Sequence, residues 1–370
     1  MKYLGKSFLK IFIIFLVTFI FVELSSKALV KFGFLNKGLP AWVSLRIHSD
    51  FAHWHPKNVT LNLEKKNCWV SQVTYDSRGL RITSSLNLDK NKKTIALLGD
   101  SMVENIELSD GDDLGAMIQS KLKNFNVLNY SSRGTGLADQ TEIYKKLIKK
   151  QNVDYLFLFV TENDIYNNVD GFTTFYHSRF DYADGKVFEI EKNKEYIKRY
   201  NSPFSKFRRD GLLFLKNLDT YKLYLKYYYF FVTEKSDVNK QNLIIKKSAE
   251  NRFSLSEKKK SIYKHIKKNF EQELDPKTQL HVFMNVRNYM FEPDIEDNRK
   301  EYDAMNFLIS EWKNHDYYYN PFEFVKKKLR TKNKLSFPYL TFDCDAHYSK
   351  LGTDIMSDYV ALEFIKNIVE

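Results

Sequence analysis

From Lys93 onward, short apolar runs alternate with stretches whose apolar residues recur at helical spacing, and this limits the fold more than any other feature. Residues 94–98 form a continuous apolar run, the pattern of a strand buried on both faces of a parallel sheet. Residues 113–122 read as a helix, 126–128 as a second strand and 137–148 as a second helix with Ile143 and Leu147 on one side. Residues 155–160 are a third strand and 280–284 a fourth, followed by a helix over 301–312. Residues 339–342 are read as the end of a fifth strand, and 355–368 as a closing amphipathic helix. Such alternation predicts a doubly wound α/β sheet with helices on both faces. Ligand sites in such sheets form at the carboxyl ends of the strands.

Four segments carry chemistry at those ends. Gly99-Asp100-Ser101 follows the first strand, and a serine at a glycine turn is a candidate nucleophile. Asn129-Tyr-Ser-Ser-Arg-Gly134 follows the second strand, where a glycine lets a backbone N–H approach a substrate oxygen. Thr161-Glu-Asn163-Asp164 follows the third, and an asparagine amide can donate to an oxyanion. Asp345-Ala-His347 lies near the end, five residues before Gly352, and supplies a base with a carboxylate to orient it. Each segment alone is commonplace: Gly-Asp-Ser is an ordinary turn, and Asn163-Asp164 an ordinary helix cap. Asp100 and Asp164 are read as structural residues bonded to nearby backbone.

Taken together and in this order, Ser101, Gly134, Asn163 and His347 resemble the SGNH (GDSL-type) esterase/acylhydrolase family, over roughly residues 75–170 and 278–365. The lead-in Tyr75-Asp-Ser-Arg-Gly-Leu-Arg81 is similar to a Gly-x-Arg segment in membrane-anchored members. The resemblance implies a flavodoxin-like three-layer α/β/α sandwich with a parallel central sheet. It implies Ser101 as nucleophile, His347 as base, Asp345 as triad acid, and Ser101, Gly134 and Asn163 as the oxyanion hole, with no metal or organic cofactor. Three positions depart from the family pattern. Ser131 and Thr161 stand where many members carry glycine. Asp345 precedes the histidine by two residues rather than three, which leaves Asp343 as the reserve acid.

The N-terminus places Lys2, Lys6 and Lys10 before an apolar run over 11–22, with Glu23 and Lys27 beyond it. This reads as an N-terminal transmembrane helix, an uncleaved signal anchor over 1–35 with the catalytic part on the exported side. The dozen strictly apolar residues also match a signal-peptide core, the alternative reading. Residues 36–92 form a lead-in with short strands, and 93–370 the hydrolase-like domain, interrupted at about 170–278 by an insertion rich in lysine and aromatics. Export permits a disulfide between the two cysteines, Cys68 and Cys344, which would pin the segment after the anchor to the loop carrying His347. Two histidines at His53 and His55, with no carboxylate or thiol beside them, read as structural rather than as a metal site.

The formal charge is +12, but there is no compact basic helix or RNA-binding aromatic motif, so nucleic acid is not an expected partner. The leading function is therefore a membrane-tethered serine esterase acting on an acyl ester, such as an O-acetyl group, of an envelope glycan or lipid. An O-acyltransferase using the same residues, or a non-catalytic assembly protein on the same fold, are the alternatives. The acyl chain, the alcohol partner and the oligomeric state are not specified by the sequence.

Overall fold

The computed structural model describes residues 2–31, 39–40, 46–47, 53–65, 67–83, 88–169, 178–191, 194–200, 202–205, 255–291, 296–331 and 340–369. The chain divides into two compact units, one of residues 1–39 and 202–245, the other of 40–201 and 246–370.

In the larger unit, five parallel strands run in the order Tyr318–Tyr319, Gln279–Met284, Tyr155–Val160, Lys93–Leu98 and Phe125–Asn129. Numbered along the chain this is 2-1-3-4-5 read from the other edge, the flavodoxin-like order. The order reverses between Lys93–Leu98 and its two neighbours, so the loops after these strands open on one crevice. Tyr155–Val160 is buried along its whole length, which is why its sequence is apolar without alternation. Phe364 of the helix Lys350–Val369 packs edge-on against Phe125, Tyr155 and Phe157 on one face of the sheet. The helix Leu114–Lys121 lies beside it. In the second helical layer, Leu137–Ile143 packs on Glu257–Glu273, and Trp312 of Glu296–Trp312 donates its indole N–H to Tyr263 at 2.8 Å. These layers make the expected α/β/α sandwich.

Three expectations change. The fifth strand is Tyr318–Tyr319, not 339–342; Thr341–Phe342 instead pairs antiparallel with Asp345–Tyr348, a small hairpin that presents His347. Two residues are too few to leave a periodic signal. The end of the 170–278 stretch belongs to the sandwich: Glu257–Glu273 buries Ile262, Tyr263, Ile266 and Phe270 as the crossover before Gln279–Met284. The aromatic run at 227–231 lies outside the described residues. The third change concerns the N-terminus. A 30-residue helix, Lys2–Lys31, is present, and Phe12, Ile14, Phe15 and Phe21 are exposed on it. Yet among the described residues no helix is long and apolar enough to cross a membrane, so the transmembrane reading finds no support there.

In the lead-in, Val59–Lys65 and Trp69–Tyr75 form an antiparallel hairpin. Bridges from Tyr75 to Arg81, and from Arg81 to Asn129, join it to the edge of the main sheet.

Candidate active site

Ser101 begins a four-residue helix, Ser101–Glu104, directly after the first sheet strand. Asp100 caps it: one carboxylate oxygen accepts from the Met102 N–H at 2.9 Å, the other from Asn163 Nδ2 at 2.6 Å. Gly99 has an ordinary backbone angle, and its role is close approach. A Cβ there would sit 2.8 Å from Val103 Cγ2 and 3.2 Å from Phe159 Cβ. Asn105 ends the helix in the left-handed region, φ 51°, a conformation asparagine tolerates. Its amide donates to the Tyr348 carbonyl at 3.3 Å and accepts from Thr353 Oγ at 3.1 Å, tying the helix of Ser101 to the strand of His347.

The helix is held from below by buried charge. Arg81 gives its guanidinium to the carbonyls of Glu104, Asn105 and Leu108 at 2.5–2.6 Å. This is the work of the Gly-x-Arg segment. Glu104, fully buried, accepts from Tyr75 OH at 2.8 Å and from the Arg133 N–H at 2.7 Å. Burial opposes its charge, but His55 at 3.1 Å and Arg133 overcome this and hold its pKa at about 2. His55 therefore has a structural role, its Nδ1 donating to the Gly79 carbonyl.

His347 Nδ1 is hydrogen-bonded to Asp345 Oδ1. The other oxygen of Asp345 accepts from Trp69 Nε1 and Lys65 Nζ, each at 3.0 Å. Asp345, not the exposed Asp343, is thus the residue that orients the imidazole. The disulfide between Cys68 and Cys344 is present, with Cα atoms 5.6 Å apart, and lies beside Trp69 on one side and Asp345 on the other. Burial opposes the charge of Asp345, but His347, Trp69 and Lys65 outweigh it and hold the carboxyl below its usual range. Burial also opposes the imidazolium, yet Asp345 and Glu107 prevail and raise the pKa of His347 above the ordinary 6.5.

Gly134 sits on an exposed turn at φ +70°, with open space where a Cβ would lie. Asn163 lies at the crevice through its bond to Asp100, which uses one of the two hydrogens of its amide. Thr161, where the family often has glycine, caps the short helix Glu162–Ile165 together with Asp164, and its hydroxyl accepts from Asn285 at 2.7 Å. Ser131 donates its N–H to Asn129 Oδ1 at 3.0 Å. The Thr161 side chain thus serves the local backbone, whereas the Ser131 hydroxyl is buried with no hydrogen-bond partner. Burial pushes the Asp100 and Asp164 carboxyls up, and for Asp164 the neighbouring Asp100 adds to it.

The structure therefore packs the helix of Ser101 against the strand of His347 and joins Asn163 to the cap of that helix. Among the described residues the Ser101 hydroxyl has no hydrogen bond, and none joins it to His347. Such contacts are often long before substrate arrives. Sequence reasoning missed Lys65, Trp69 and Glu107. Only the cysteines flanking Trp69 and Asp345 carried a signal for the first two. Glu107, Asp345 and His347 bring three ligand atoms within 4.8 Å of one another, but Lys65 and Arg133 already sit on the two carboxylates, which disfavours a cation there.

No family model and no curated protein matches the chain. Among solved structures it is similar to a lipase/acylhydrolase from Enterococcus faecalis, at 8% identity over 74% of this chain and 95% of that one, TM-score 0.38. The acetyl xylan esterase AlAXEase is similar at 9% identity over 72% and 97%, TM-score 0.39. So is Axe2, an acetylxylan esterase from Geobacillus stearothermophilus, at 11% over 74% and 96%, TM-score 0.37.

Proposed function

We propose that the protein is a serine esterase of the SGNH type that cleaves an acyl ester through an acyl-serine intermediate. The observation that carries this reading is the Asp345–His347 pair on a strand bound by Asn105 to the helix of Ser101. Ser101 Oγ attacks the ester carbonyl while His347 Nε2 takes its proton. The tetrahedral intermediate collapses, the ester C–O bond breaks, and His347 returns the proton to the departing alcohol. Water then attacks the acyl-serine, again losing a proton to His347, and the acid leaves as Ser101 recovers its hydrogen. Asp345 keeps the Nδ1–H tautomer and stabilises the imidazolium. The oxyanion is received by the N–H groups of Ser101 and Gly134 and the second amide hydrogen of Asn163.

The finer reading places this enzyme at the outer face of a membrane, acting on an acyl ester of an envelope glycan or lipid. The lysines before the apolar run support an N-terminal anchor with its start in the cytoplasm. The disulfide supports export, since such bonds persist in oxidising compartments. The test of the chemistry is a fluorophosphonate probe on the full chain in detergent. Labelling is expected to require Ser101 and His347. Equal labelling of Ser101→Ala would sink the assignment.

A further inference from the structure

Glu107 lies in the loop after the helix of Ser101, 2% exposed, and no step above uses it. Its Oε1 stands 3.2 Å from His347 Nδ1 and 3.1 Å from a terminal guanidinium nitrogen of Arg133. Its Oε2 is buried with no hydrogen-bond partner. A carboxylate so placed is costly unless nearby positive charge compensates it. Arg133 supplies one such charge permanently. His347 supplies a second only when protonated, which is the state it enters as Ser101 attacks. Arg133 also immediately precedes Gly134, so the same carboxylate touches the base and the turn of the oxyanion hole.

We propose that Glu107 is a second carboxylate serving His347, a positioning residue that shares the Nδ1 side of the imidazole with Asp345 and stabilises the imidazolium formed in each proton transfer. The proposal rests on the reading of Ser101 and His347 as nucleophile and base. Because Nδ1 carries one hydrogen, Asp345 takes the main hydrogen bond. Glu107 acts chiefly through its charge and as a second acceptor.

The groups facing His347 are Asp345 on its own hairpin, Glu107 on the loop, Arg133 on the Gly134 turn and Asp100 at the helix cap, with Lys65 behind Asp345. The carboxylates favour the imidazolium, and Arg133 opposes it. Burial pushes the Glu107 carboxyl up, with His347 and Arg133 acting against this.

The test compares pH–rate profiles of the full chain and Glu107→Gln on a chromogenic acetate ester, with Ser101→Ala as control. The acid limb of kcat/KM is expected to move down by about one pH unit, the shift of a lost charge neighbour. Plateau kcat should fall on the order of tenfold as the base weakens, with KM unchanged. An unmoved limb with unchanged kcat would overturn the role of Glu107 while Ser101→Ala remained inactive. Full activity in Ser101→Ala would instead remove the reading beneath it. If Glu107→Gln does not fold, Asp345→Asn decides. With Glu107 sharing the imidazole, its loss should stay well under the ~10⁴-fold typical when a sole orienting carboxylate is neutralised. A loss of that full size would overturn the proposal.

Discussion

His347 shows how single residues set the working range of the site. Asp345 and Glu107 raise its pKa above 6.5 against the opposing pull of burial. A general base must be neutral, so activity should rise through a pH above that ordinary value. For stability the sign is opposite. The raised pKa contributes fully below the unfolded value, and the contribution is lost as pH rises through the folded one. A kcat/KM profile with its acid limb above 6.5 is the expected outcome, and a limb below it would contradict the carboxylate contacts. Asn163 is a second residue-scale case. On the proposed mechanism, Asn163→Ala removes an oxyanion donor and should lower kcat by about 10²–10³-fold with the protein still folded. Ser101, Gly134, Asn163 and His347 could be singled out in the sequence because each follows a short apolar strand or ends a recognisable block. Glu107 could not, because its contact with His347 spans 240 residues and no local pattern marks it.

Among elements, the hairpin Val59–Lys65 and Trp69–Tyr75 does more than lead in to the sheet. Its tip brings Lys65, Cys68 and Trp69 onto Cys344 and Asp345, so the carboxylate bonded to His347 is held from a separate element. Reducing the disulfide removes the covalent part of this clamp. A Cys68→Ser, Cys344→Ser variant is expected to lose about 3–5 kcal/mol in denaturant unfolding, given the long loop closed. Its kcat should fall with KM little changed, because the imidazole loses its fixed partner. The helix Ser101–Glu104 depends on Arg81 in a similar way. Arg81→Met would strand three buried carbonyls and should cost about 3–5 kcal/mol, measured the same way. Strands such as Tyr155–Val160 were legible because burial on both faces makes them uniformly apolar. The segment at 339–342 misled because Thr341–Phe342 belongs to a hairpin, while the true edge strand, Tyr318–Tyr319, is too short to show a period.

For the whole molecule, the 2-1-3-4-5 order gathers the ends of Lys93–Leu98 and its two neighbours, Phe125–Asn129 and Tyr155–Val160, on one side of the sheet, and the loops of Ser101, Gly134 and Asn163 follow these strands. The strand–helix alternation predicted a doubly wound sheet with sites at its strand ends, and the flavodoxin-like layout was implied by the family resemblance. The membrane reading rests on the apolar run before Glu23 and on charge placement. With a true anchor, the full chain should remain with membranes through an alkaline carbonate wash; release into the soluble fraction would contradict it. The central claim is that Ser101 carries the acyl group during turnover. Its most direct measurement is peptide mass mapping after acid quench of the enzyme turning over a chromogenic acetate ester. One acetyl group is expected on the peptide containing Ser101, and none in Ser101→Ala. An acetyl group trapped on another residue, or turnover undiminished in Ser101→Ala, would contradict the account.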